Sequence, residues 1–195
     1  MRSTTPQGNC DVIQREPGQK IRIASCSLAG CFGCHMSMLD IDELVVEVVH
    51  HLEYCRGPLN DVRELRDVDV GVVEGALCNE DNVKVLEQFR ANCDLLVAVG
   101  ACAINGGLPA MRNHFGLTAC LKEAYLDAEG VVNPEIPRDA ELPRLLNRVR
   151  PIQEVVKVDY FLPGCPPPAA AFTELFTALI EGREPAFDED MVRFD

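Results

Sequence analysis

Three apolar runs of strand-like length each end in a turn that carries cysteine, and this pattern constrains the fold most. Residues 21–26 pass through Ser27-Leu28-Ala29-Gly30 into Cys31-Phe32-Gly33-Cys34. Residues 95–101 lead into Cys102, and residues 158–164 lead into Cys165. Open α/β sheets bind ligands beyond the carboxyl ends of their strands. The three loops therefore deliver four thiols to the edge where such a sheet holds its ligand.

The segments between these runs support a sheet of that kind. Residues 68–74 read as a further strand ending at Gly75, and residues 94–100 as the strand before Cys102. Helical periodicity runs through Leu39, Leu44, Val48 and Leu52, which predicts a helix over 37–54. Val83, Leu86 and Phe89 share a face of a second helix that begins at Asn79 or Glu80 and ends at Asn92. A short helix is expected over 108–115, and a closing helix over 169–181 stopped by Gly182. Strands alternating with helices of this length imply an α/β fold, a parallel sheet with helices on both faces.

Residues 128–156 break the rhythm with Pro134, Pro137, Pro143 and Pro151. They read as an extended surface crossover holding one short helix over 141–149, before a last central strand over 155–162. Residues 1–20 read as a flexible N-terminal arm, 21–182 as the folded domain, and 183–195 as an acidic surface tail.

Composition removes several function classes. Net charge is −13, from 31 acidic against 18 basic residues, which argues against a nucleic-acid binder. No apolar stretch approaches the roughly 20 residues that span a bilayer, so no membrane partner is expected. The segment from Met1 to Lys20 lacks the apolar core of a signal peptide, and the cytoplasm is the expected compartment. Ten cysteines in a reducing compartment stay free of disulfides, which leaves metal or redox work for the clustered ones.

The Cys-x-x-Cys pair alone has several readings. A thioredoxin-like pair leaves Cys102 and Cys165 unexplained, and a haem site at Cys31-x-x-Cys34-His35 normally needs export. Structural zinc can take four cysteines, but zinc ribbons usually supply two close pairs rather than singles scattered over a parallel sheet. A close pair plus two distant cysteines, the last followed by Pro166, suits a cubane iron–sulfur cluster.

The flanking residues fit that choice. An oxidised cubane with four thiolates carries about two net negative charges, and burying charge is costly unless it is compensated. Gly30, Gly33, Gly100, Gly106, Gly107 and Gly164 leave backbone N–H groups accessible beside the cysteines, and Pro163 and 166–168 stiffen the last loop. Cys10, Cys26, Cys55, Cys78, Cys93 and Cys120 read as structural. His50 and His51 read as a surface pair. His35 is expected to face either a cluster sulfur or solvent. Glu74 closes its strand at the same edge, and reads as a helix cap or as a carboxylate with a proton-transfer or interface role.

The combined motifs resemble a known family. Cys31-x-x-Cys34, Gly100-Ala101-Cys102-Ala103-Ile104-Asn105-Gly106-Gly107 and Pro163-Gly164-Cys165-Pro166-Pro167 are similar to the small subunit of [NiFe] hydrogenases. Val73-Glu74-Gly75 resembles that family's second strand end. Residues 27–43 are more similar still to the cytoplasmic, bidirectional NAD-reducing members, and the likeness spans residues 20–182. By that resemblance the fold is flavodoxin-like, and Cys31, Cys34, Cys102 and Cys165 hold the [4Fe-4S] cluster proximal to a nickel–iron centre in a partner large subunit. Phe32 stands where many members carry an acidic residue, so no proton route is expected through it. No cysteine follows Cys165, so ligands for further clusters are not expected here.

The function this implies is electron transfer within an enzyme catalysing H2 + NAD+ ⇌ NADH + H+, with iron–sulfur and flavin diaphorase subunits as further partners. The flavodoxin-like fold also brings FMN among the candidate cofactors, although the first loop is taken by thiols. Alternatives are a hydrogenase serving F420 or another acceptor, and the homologous subunit of NADH:quinone oxidoreductase, which is expected to use adjacent cysteines. From a different class, a zinc-stabilised interaction module also accommodates the four thiols.

Overall fold

The computed structural model describes residues 18–193 apart from 59, 63 and 64. Its strands are β1 (Ile21–Ser27), β2 (Leu52–Arg56), β3 (Val68–Glu74), β4 (Leu77–Asn79), β5 (Cys93–Val99), β6 (Leu145–Arg150) and β7 (Tyr160–Leu162). Its helices are α1 (Gly33–Leu39), α2 (Leu44–His51), α3 (Glu80–Asn92), α4 (Gly100–Asn105), α5 (Leu117–Lys122) and α6 (Ala169–Glu181).

β1, β3 and β5 sit in the middle of a five-stranded sheet of order β2-β1-β3-β5-β7, with every neighbouring pair parallel. With β4 and β6 outside the sheet, this is the flavodoxin-like order 2-1-3-4-5. Val, Ile and Ala on the central strands bury both faces, as parallel sheets require. One face packs Ile23, Val70, Val72, Val97 and Val99 against Met38, Phe172 and Phe176 of α1 and α6. The other packs Ala24, Val73, Leu96 and Ala98 against Leu86 and Phe89 of α3 and Ala103 of α4. The α/β flavodoxin-like architecture expected from the sequence is therefore the one observed.

Several local expectations are corrected. The helix expected over 37–54 is two short helices that part around Asp42, whose φ is 52°. Its end is not helical at all: Leu52–Arg56 pairs in parallel with β1 as an edge strand, so Cys55 lies in a strand. The helix expected over 141–149 is instead β6, antiparallel to β4. The edge of β4 captures this segment as a strand, overriding its local pattern. Cys102 lies not in a loop but on α4. The last strand covers Tyr160–Leu162 and not 155–162, because Val155 and Val156 turn back to bond the Ile152 carbonyl, and it lies at the edge of the sheet and not at its centre. Residues 128–144 hold neither helix nor strand. Of the arm placed at 1–20, residues 1–17 and Cys10 lie outside the described residues. In the C-terminal tail, Phe187 and Met191 pack against the α6 side of the core.

Candidate metal centre

The three cysteine loops are tied to one another by backbone bonds. Beyond β1, Leu28 N–H donates to the Glu74 carbonyl (2.9 Å), and Ala29 and Ala76 form an antiparallel bridge. The loops that follow β1 and β3 are thus joined where the strand order reverses, the usual ligand crevice of such sheets. Ala101 N–H, at the start of α4, donates to the Gly164 carbonyl after β7 (2.8 Å). Ser37 on α1 donates its hydroxyl to the Pro167 carbonyl (2.5 Å).

These ties enclose a cleft of ≈ 360 Å3, counting its open mouth, lined by Cys31, Cys34, Cys102 and Cys165 together with Glu74 and Gly30. Cys31 and Cys165 are exposed at the mouth, whereas Cys34 and Cys102 are partly buried. Two glycines make room for the inner thiols. Gly100 has φ +80°, and a Cβ there would overlap Cys34 Sγ. Gly107 has φ +47°, and a Cβ would lie 2.8 Å from Cys102 Sγ. Residues with side chains would be both strained and obstructed at these points.

The electrostatics suit cations and not bare thiolates. Burial, followed by the nearby Glu74 carboxylate, pushes the Cys34 thiol far above its ordinary range. Burial also raises Cys102, with a hydrogen bond from the Leu108 backbone working the other way. Inner thiolates therefore need positive charge close by, and metal binding supplies it by displacing the proton. Among the described residues, no three Cys, His, Asp or Glu side chains converge on a single ion-sized point. The four thiols line one shared cleft, which fits a polynuclear cluster and its backbone N–H donors; Gly33 N–H already lies 3.4 Å from Cys31 Sγ.

Behind the cleft lies a buried polar chain. Glu74 is 2% exposed and accepts from Ser27 Oγ (2.6 Å) and from the His35 backbone N–H (3.1 Å). Burial alone would push its carboxyl upward, but His35 and Ser27 more than offset this and hold it below the usual range. It does not cap the next helix; Asn79 does, accepting from Asn82 N–H at 2.8 Å. His35 faces neither sulfur nor solvent. It is 4% exposed, stacks on Phe32 with ring centroids 4.6 Å apart, and bonds Ser25 Oγ through Nε2 at 2.9 Å. Ser25 Oγ in turn hydrogen-bonds the Tyr54 hydroxyl. Sequence reasoning passed over Ser25 and Tyr54, although two serines facing inward on an apolar strand were a readable sign. Cys26, Cys55, Cys78, Cys93 and Cys120 do not line the cleft, and His50 and His51 are exposed.

Comparison with known proteins agrees with this geometry. Residues 31–179 match the family model described as NADH ubiquinone oxidoreductase, 20 Kd subunit. The chain is 41% identical over 180 residues to the NAD-reducing hydrogenase HoxS subunit delta of Cupriavidus necator, covering 90% of this chain and 86% of that one. The chain belongs to the family of the NADH ubiquinone oxidoreductase 20 kDa subunit and hydrogenase small subunits. Within that family, a chain from a crystal structure of an NAD+-reducing [NiFe]-hydrogenase in the H2-reduced state superposes with a TM-score of 0.89. It is 46% identical, and the match covers 91% of this chain and all of that one. A family member from Archaeoglobus profundus, the iron-sulfur subunit of an F420-non-reducing hydrogenase, is 31% identical; this match covers 85% of the present chain and 57% of the relative. The family assigned from sequence motifs is thus the family found. No helix among the described residues is long and apolar enough to cross a membrane.

Proposed function

We propose that this chain is the electron-transfer small subunit of a cytoplasmic NAD-reducing [NiFe] hydrogenase, in which Cys31, Cys34, Cys102 and Cys165 hold one [4Fe-4S] cluster. The observation that carries the reading is the convergence of these four thiols on one cleft at the sheet's switch point. Such a cluster, when bound, supplies one-electron carriage between a nickel–iron centre in the large subunit and a diaphorase module. The chain's own residues do the rest. Cys34 is positioned by α1, Cys31 by the turn that leads into it, Cys102 by α4, and Cys165 by the loop after β7. Gly100 and Gly107 keep the inner wall free of side chains. Glu74 fixes a negative charge behind the thiols.

Two observations support a large-subunit partner across the cleft mouth. Cys31 and Cys165 are exposed there. Met36 (56% exposed), Leu108 (67%) and Met111 (60%) follow the thiols on α1 and after α4, and apolar residues left open in this way mark protein contacts. FMN is not part of this proposal, because the switch-point crevice it takes in flavodoxin-like sheets is here lined by thiols. The zinc-module reading is less favoured because the four thiols come from separate elements of a parallel sheet and not from two close pairs.

The test is anaerobic co-purification with the neighbouring subunits, followed by iron and sulfide analysis and a hydrogen-dependent NAD+ reduction assay. About four irons and four sulfides per chain are expected, lost in Cys165→Ala and retained in Cys120→Ala. One zinc per chain, or full iron in Cys165→Ala, overturns the assignment. A loaded chain whose complex reduces F420 or a quinone instead of NAD+ moves it to the corresponding alternative.

A further inference from the structure

We propose that the groove between α5 and the crossover at 136–147 docks an amphipathic helix of a partner subunit, one whose apolar stripe is flanked by carboxylates. This rests on reading the chain as one subunit of a larger complex, and it adds a second contact surface to the cleft mouth.

No residue from Gly107 to Arg148 is buried. Ordering a backbone costs about 1–2 kcal/mol per residue, and a stretch that buries nothing sets little against that cost until something covers it. Its apolar side chains are nevertheless arranged. Leu117, Leu121 and Tyr125 recur every fourth residue along α5 and the π-helical turn that continues it, Glu123–Asp127. They line one groove with Leu142 and Leu145 of the crossover. Tyr125, Leu142 and Leu145 stay 43%, 51% and 44% exposed. The groove measures ≈ 1150 Å3 counting its open mouth, against ≈ 360 Å3 for the thiol cleft, and shares no residue with it.

The form of the occupant follows from what the groove leaves open. Every residue lining it is half-buried or exposed, so it does not enclose a small molecule as ligand pockets do. A further strand finds little free backbone on β6. The Asn113 side chain takes both the N–H and the carbonyl of Val149, at 2.8 and 2.9 Å, and Arg112 takes the Leu146 carbonyl at 2.8 Å. A helix laid apolar side down needs no backbone partner, and it fills grooves of this kind through residues three and four apart.

Charge sets the chemistry of that helix. The chain carries a net −13, yet residues 136–150 hold Arg138, Arg144, Arg148 and Arg150 against Asp139 and Glu141. Arg138 and Arg144 line the groove. Arg138 makes no ion pair among the described residues, and Arg144 only reaches Glu80 at 3.8 Å with its side chain 85% exposed. Asp139, which also lines the groove, is engaged by the Glu141 backbone N–H at 2.8 Å. Two open guanidiniums beside an apolar floor call for carboxylates on the occupant. Two copies of this chain meeting groove to groove would set arginine against arginine. Residues 1–17 hold Asp11 and Glu16 against Arg2 and Arg15, and so bring no net negative charge.

The test places a photoreactive side chain in the groove of the intact, iron-loaded complex. Tyr125→benzoylphenylalanine keeps an aromatic ring at a partly exposed position, and mass spectrometry of the crosslinked peptide identifies its neighbour. The expected neighbour is a segment of a partner subunit with apolar residues four apart and Asp or Glu beside them. Arg138→Glu combined with Arg144→Glu changes exposed side chains only, and should lower that crosslink about tenfold as like charges meet. A crosslink to residues 1–17, to a second copy of this chain or to a partner segment without carboxylates overturns the proposal. So does an undiminished crosslink in the double variant, or none at all in a loaded complex. Those outcomes leave the cluster reading standing. A chain that carries no iron and purifies without partners overturns that reading instead.

Discussion

Ser37 on the first helix and Pro167 in the last cysteine loop are far apart in the chain, yet the serine hydroxyl donates to the proline carbonyl at 2.5 Å. Both residues are buried. This bond fastens the helix that carries Cys34 to the turn that carries Cys165. Ser37→Ala leaves a buried carbonyl without its donor, at a cost of about 1–3 kcal/mol. Denaturant unfolding of the anaerobically purified chain should show that loss. An unchanged midpoint would mean that the loop is held by other contacts.

Gly100→Ala should abolish iron loading while leaving a folded chain. The added Cβ meets Cys34 Sγ, and the residue must hold φ +80°. The helix and sheet content seen by circular dichroism should stay near that of the unaltered protein, with iron per chain falling to background. Normal loading would show that the inner wall yields more than its geometry implies.

Charges placed at the mouth of the cleft should detach the large subunit without unfolding this one. Met36→Asp and Leu108→Asp change exposed side chains. Ile104 is a poorer choice, since it packs partly against the core. Co-purification yield is the readout. Undiminished recovery of the complex from both variants would place the interface elsewhere.

The C-terminal tail should loosen in acid. Glu174 on α6 accepts from both Arg183 Nη1 and Nη2, at 2.5 and 3.0 Å, and from Ala186 N–H at 2.6 Å. Hydrogen bonding from Arg183, then from the Ala186 backbone, holds its carboxyl down to about 2. A depressed folded pKa adds stability that is complete above the ordinary glutamate range and fades as pH falls from about 4.5 towards 2. Hydrogen exchange around 183–191 should rise across that interval, and Glu174→Gln should flatten the dependence.

The fold was legible where one signal dominated. β1, β3 and β5 are mostly apolar runs of strand length, each leading into a glycine-containing turn, and Gly182, with φ 66°, ends α6 as its sequence position suggests. β2 was hidden because Leu52 continues the apolar spacing of α2, and the edge of β1 overrides that local pattern. β6 was hidden because its partner, β4, is only three residues long and lies far away in the chain. That Cys31, Cys34, Cys102 and Cys165 share one cleft could be read from the apolar runs and turns that precede them. The contacts of His35 could not, since they depend on a stack with Phe32 in a left-handed conformation, φ 67°, that bulky side chains rarely adopt.

The parallel strand order also bears on how such a chain is made. Cys31 and Cys34 leave the ribosome long before Cys165, and the far wall of the cleft exists only once β7 has paired with β5. Until then β5 is an open sheet edge, ready to recruit a stray strand, and just three of the four thiols are at hand. Iron delivered during synthesis would meet an incomplete vessel. On the proposed ligand set, loading belongs after β7 has paired with β5, and truncation before residue 160 should leave β5 an open edge prone to aggregation.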